Sequence, residues 1–246
     1  MTITSDYSLT KLFVVKEINI SVDSKYNFKM KVKRIRDFFE DTSWNGVYHL
    51  WTLTVSKWKE MLKIELNSEF DYIKFIIFEL GKYRQYADIA DSFVKYLQQI
   101  FPNIRFEYAK KNQGIYINDL SITSEIWDYV VYLLKLTCGE KVSQPQIFNS
   151  PEERAFYLKQ QQMEEKIQNL RNKDKKIDKE GTLKALLTIV YSFPSLTFDY
   201  LINQTMAQIH WLQEMAAGEV SYAFNAKAYA AGNVKKGAKK LEFFIK

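Results

Sequence analysis

Residues 104–136 read IRFEYAKKNQGIYINDLSITSEIWDYVVYLLKL, and the change of hydrophobic period along them decides the fold class. Ile104, Phe106 and Tyr108 alternate with polar residues, as do Ile115 and Ile117. That is the two-residue period of short, half-buried strands. Lys111-Asn112-Gln113-Gly114 lies between them as a hairpin-like connection. Ile122-Thr123-Ser124-Glu125 then opens a run in which Ile126, Trp127, Val130, Val131, Leu133, Leu134 and Leu136 recur at helical spacing, closing near Gly139. Strands that feed an apolar helix within one body predict an α+β fold.

The same mixture extends toward the N-terminus. Leu12-Phe13-Val14-Val15 is a short apolar run, and Ile18, Ile20 and Val22 alternate as a strand. Phe28, Met30 and Val32 keep that period before Ile35, Phe38 and Phe39 shift toward helical spacing. Tyr48 to Val55, YHLWTLTV, is aromatic and β-branched enough for a strand, with a helical turn as the alternative, and Asn45-Gly46 before it reads as a turn. Helical patterns follow through Trp58, Met61, Leu62 and Leu66, then 71–80 ending at Gly81. A third, carrying Ala90, Phe93, Val94, Leu97 and Ile100, stops at Phe101-Pro102.

Beyond Gly139 the character changes. Residues 140–150 hold Pro145 and no helical period. Ser150, Pro151 and Glu153 then form a capping box with proline at the first helical position. The helix they open carries a thin stripe, Phe156, Met163, Ile167 and Leu170, which covers little core and reads as an exposed or partner-bound arm. After Gly181, Leu183, Leu186, Leu187 and Val190 form a helix ended by Phe193-Pro194, and Phe198 to Leu212 form another. Residues 221–231 read as a separate small, alanine-rich helix with Tyr222, Ala226 and Tyr229 aligned. The expected layout is a mixed helical and strand body at 1–144, a long exposed or partner-binding helix at 145–180, and a helical C-terminal unit with a basic tail at 181–246.

Composition narrows the chemistry. One cysteine among 246 residues allows no internal disulfide, and 2 His leave a zinc site dependent on carboxylates. Neither GxGxxG nor GxxxxGK[ST] occurs, so no phosphate-cradling loop is present. His49 and His210, each beside aromatic residues, read as buried or half-buried imidazoles, and Cys138 as an inert core thiol at a helix end. Asp88 and Asp91 share a helix face without an identifiable third metal ligand. The expectation is a protein that is not an enzyme and needs no cofactor or metal.

Partners are more legible than reactions. The 5 Trp, 16 Tyr and 17 Phe supply rigid contact area suited to a core or to a persistent interface. Six lysines from Lys227 to Lys246, Lys239 and Lys240 among them, face one acid, Glu242, so this tail carries +5 of the formal +6. Such a tail attracts acidic partners, and with the RNKDKK run at 171–176 it keeps a nucleic-acid-binding module open as the alternative. No apolar run approaches the ~18 residues that read as a membrane-spanning helix, and the N-terminus lacks the pattern of a signal peptide.

The C-terminal third resembles the proteins with which tailed phages assemble their tails, the tail assembly chaperones and baseplate hub assembly proteins. The resemblance lies in Phe193-Pro194 before a long helix, His210-Trp211, Tyr222, Phe224, Ala230-Ala231-Gly232 and Lys239-Lys240-Leu241-Glu242-Phe243-Phe244. Trp44-Asn45-Gly46-Val47-Tyr48, the apolar run at 71–80 and Ile122-Thr123 are loosely similar to the hub-assembly group. The resemblance implies stoichiometric binding of tape measure or baseplate hub components in the host cytoplasm, or a place in the virion for a structural tail or baseplate subunit. It assigns partner contacts to Phe156, Met163, Ile167 and Leu170 on the arm and to Trp211, Tyr222 and Tyr229, with the small-residue helix docked beneath Trp211, and to Lys239 and Lys240.

Overall fold

A computed structural model describes residues 1–8, 17–40, 43–108, 113–140, 142, 153, 156 and 179–230. The apolar run at 12–15, the capping box at Ser150-Pro151, the basic run at 171–176 and the lysine tail beyond Ala230 lie outside the described residues, as do Met163, Ile167, Leu170, Lys239 and Lys240.

The architecture is α+β, a mixed helical and strand N-terminal region followed by helices. Strands β1 (Ile3–Ser5), β2 (Glu17–Val22) and β3 (Tyr26–Lys31) form an antiparallel sheet in that order. Its register sets Ile18 opposite Met30, Ile20 opposite Phe28 and Ile3 opposite Val22, so the alternating apolar residues share one buried face. Asp23 and Ser24, at φ 51° and 54°, turn the β2–β3 hairpin, closed by the Lys25 N–H donating to the Val22 carbonyl at 3.1 Å. Left-handed backbone costs an L-residue about 1–2 kcal/mol and glycine almost nothing. Ser24→Gly is therefore expected to stabilise the protein by up to about 1 kcal/mol, read as a higher urea midpoint at unchanged slope. A lowered midpoint would contradict this reading of the turn.

Helices α1 (Ile35–Glu40), α2 (Ser43–Trp51), α3 (Val55–Leu62), α4 (Glu69–Phe78) and α5 (Arg84–Ile100) follow, with a 3-10 turn at Leu80–Lys82 between the last two. A second antiparallel sheet joins β4 (Ile104–Glu107), β5 (Gly114–Ile117) and β6 (Leu120–Ser121), and α6 (Ser124–Thr137) leads out of it. Side-chain caps fix two of these starts: Ser68 Oγ accepts from the Asp71 N–H at 3.1 Å, and Thr123 Oγ1 from the Ile126 N–H.

Two expectations near the N-terminus are corrected. The YHLWTLTV run is not a strand: it falls in α2 and the loop and helix after it, with Val47 and Trp51 buried four residues apart. Asn45-Gly46 lies inside that helix rather than in a turn. The i, i+4 spacing of two inward residues decides for the helix, which the β-branched composition of 52–55 concealed.

The main core lies between the sheets and α2–α6 and is built of rings. Trp127 on α6 meets Trp51 edge-on at 6.0 Å and stacks on Phe70 at 5.5 Å, and Trp51 also meets Phe93. Trp58 on α3 stacks on Tyr72 at 5.8 Å. The Tyr72 hydroxyl donates to the Ile64 carbonyl at 2.8 Å and accepts from the Leu66 N–H at 3.1 Å, pinning the link between α3 and α4.

The C-terminal helices are α7 (Lys179–Ser192), α8 (Phe198–Ile202) and α9 (Met206–Ala230). They share a second apolar cluster, whose buried members are Leu186, Ile189, Leu201, Ile209, Leu212 and, from the body, Ile35. The single helix expected from Phe198 to Leu212 is broken at 203–205. The separate helix expected at 221–231 is the continuation of α9, which passes through the buried Gly218 without interruption.

Candidate protein interface

Helix α7 buries Leu186 and Ile189 and leaves Leu183, Leu187 and Tyr191 in solvent. At 100° per residue the exposed three form a stripe at i, i+4 and i+8, set well away from the buried side. Tyr191 is 87% exposed and Leu187 56%. Helix α9 repeats the arrangement, burying Ile209, Leu212 and Ala216 while Trp211 and Met215, four residues apart, face outward. Phe198 and Tyr200 on α8 are also exposed. Single exposed apolar residues are ordinary, but aligned exposed residues on neighbouring helices make these helices the candidate surface.

The predicted contact residues fall unevenly on this surface. Trp211 belongs to it, at 40% exposure. Phe156 is 65% exposed, and Tyr222 is half-buried further along α9. Tyr229 lies in the backbone of α9. Because Trp211 and Tyr222 share one helix, about 17 Å apart along its axis, the small-residue segment cannot dock beneath Trp211, contrary to the sequence-based expectation. The α7 stripe was missed as a contact surface, since Leu183, Leu186, Leu187 and Val190 read as one apolar face. Only the packing of Leu186 and Ile189 separates inside from outside.

Where α9 begins, Thr205 and Gln208 form a reciprocal capping box. Gln208 Oε1 accepts from the Thr205 N–H at 2.7 Å, and Thr205 Oγ1 accepts from the Gln208 N–H at 3.3 Å. The T-x-x-Q spacing is the sequence signal of this box. The same Gln208 oxygen receives Arg34 Nη1 of the body at 3.4 Å.

Gly139 closes α6 in a Schellman motif: its N–H donates to the Leu136 carbonyl and the Glu140 N–H to the Lys135 carbonyl. Its φ of +81° is left-handed, and a Cβ there would collide with His210 Nδ1. Both histidines are exposed, which corrects the buried or half-buried reading, because aromatic neighbours in sequence are not neighbours in packing.

Cys138 sits beside this cap. The Tyr48 hydroxyl donates to Glu140 Oε1 and also lies against the thiol. Burial pushes the Cys138 thiol up to about 12, and the Glu140 carboxylate adds to the rise, against the opposing effect of the nearby Tyr48 and Thr137 hydroxyls. Burial likewise raises the Tyr48 hydroxyl, with Cys138 and Glu140 beside it. A thiol held protonated is a poor nucleophile, in line with the inert reading.

Among the described residues no group of three or more His, Cys, Asp and Glu is placed to hold a metal ion. A cleft of about 260 Å³ between the sheets is lined by Glu17, Asn27, Lys29, Asn103 and Asn118, smaller than the roughly 300–1,000 Å³ of small-molecule pockets. No described helix is long and apolar enough to cross a membrane. Compared with protein-family models, curated proteins and solved structures, the chain matches none of them.

Proposed function

We propose that this chain is a non-enzymatic protein-binding assembly factor that binds phage tail or baseplate hub components stoichiometrically. The protein-binding part rests on one observation, the Leu183-Leu187-Tyr191 stripe left in water on a helix whose other side is already buried. Three large apolar side chains gain nothing in solvent, and covering them on a partner would contribute the usual burial free energy. The choice of partner class, tape measure or hub components, rests on the resemblance of the C-terminal third. Binding of this kind requires no cofactor. A structural place in the tail or baseplate is the same contact made permanent.

The test is capture of partners by the full chain, expressed with its native neighbours, at about 0.1 and about 0.5 M salt. A discrete protein retained at both salts, and lost with the pair Leu187→Asp and Tyr191→Asp, is the expected result. Circular dichroism of the doubly substituted chain controls for folding. Recovery of nucleic acid alone, lost at the higher salt, would replace this reading with a nucleic-acid-binding module.

A further inference from the structure

The C-terminal helices meet the body along a joint made differently from either core. Among the described residues, the buried members of the second apolar cluster all lie on α7–α9 except Ile35, which is 1% exposed. The contacts beside it are polar. The Ile35 N–H donates to the Gln204 carbonyl at 2.9 Å, and Arg34 reaches Gln208 at 3.4 Å, the far limit of a hydrogen bond. Gln204, Thr205 and Gln208 are buried, yet Gln208 Nε2 and Gln204 Oε1 have no hydrogen-bond partner among the described residues. Gly139 meets the exposed His210 across the other part of the joint.

Such a seam opens at low cost. An apolar interface resists separation in proportion to the area it returns to water, and here, among the described residues, one isoleucine supplies the buried apolar side chain that crosses. One atom of each amide, Gln208 Nε2 and Gln204 Oε1, gains a hydrogen bond on reaching water, so opening relieves a penalty there. In the body, by contrast, Trp51, Phe70, Phe93 and Trp127 interlock four helices.

We propose that α7–α9 form one unit docked on Arg34 and Ile35, which undocks from the body while the body stays folded. Undocking exposes Ile35, Gln204 and Gln208 together, and it changes what the C-terminal helices present without unfolding α4–α6. The bond from Ile35 to Gln204 reports the event directly, since its donor and acceptor lie on opposite sides of the joint.

Native-state amide hydrogen exchange on the full chain tests this. In the unaltered protein, the Ile35 amide, bonded across the joint, should show protection at least about tenfold below that of the amides of α4 and α6. Ile35→Ala should lower the protection of that amide by a further factor of about ten or more, with exchange in α4 and α6 unchanged. An Ile35 amide protected as strongly as α4 and α6 in the unaltered chain, or an equal loss in both regions of Ile35→Ala, would show a single cooperative block and overturn the undocking.

Discussion

Trp127→Ala is expected to lower stability by about 3–5 kcal/mol, the range for deleting a buried aromatic ring, and to drop Tm by roughly 10 °C in a chain of this size. Trp127 is 2% exposed and stands where α2, α4 and α6 converge, edge-on to Trp51 and stacked on Phe70. Removing the indole empties space that three helices line at once, and helices tied to two sheets cannot all move in to fill it. Trp127→Phe should cost only about 1–2 kcal/mol. It keeps a ring for Phe70 to stack upon, and it deletes an indole N–H that finds no acceptor among the described residues. Urea unfolding followed by circular dichroism separates the two variants. A Trp127→Ala midpoint within error of the unaltered protein would mean that the three-helix junction does not carry the body.

The body was readable in the sequence wherever one period ran long enough against one core. Ile18, Ile20 and Val22 alternate and form a buried strand face, while Ala90, Phe93, Leu97 and Ile100 lie on the inner side of α5. Reading failed where composition and period disagreed. Residues 48–55 are rich in β-formers, but Val47 and Trp51 need a helix to face the core together. The small helix expected at 221–231 is the continuation of α9, in which Gly218 is a buried helical position.

Much of the candidate interface lay beyond local pattern altogether. Leu183 and Leu187 on one side, and Leu186 and Ile189 on the other, differ in what packs against them and hardly at all in chemistry. The joint pairs Arg34 with Gln208 and Ile35 with Gln204, separations that no periodicity encodes. Of its parts, only the Thr205-x-x-Gln208 capping box has a local sequence signal, and the expectation of one helix from Phe198 to Leu212 ran through it.

Alkaline lability follows from the far end of the same α6 helix. In the unfolded chain the Cys138 thiol ionises near its ordinary value of 9, whereas in the folded protein it holds its proton up to about 12. Between those limits the folded state binds more protons than the unfolded one, so stability falls as pH rises, by up to about 1.4 kcal/mol per pH unit. The contribution is fully present below pH 9 and lost as pH climbs through about 12. Tyr48, raised by the same burial, steepens the loss above pH 10, its ordinary value. Urea midpoints measured from pH 8 upward should therefore decline from pH 9, and Cys138→Ala should flatten the first part of that decline. Tyr48→Phe should flatten the later part, at some cost from the lost hydrogen bond to Glu140. If Cys138→Ala kept the full decline between pH 9 and 10, the thiol would not be the group responsible. The same protonated thiol predicts slow reaction with a disulfide reagent at pH 8, accelerating only on denaturation.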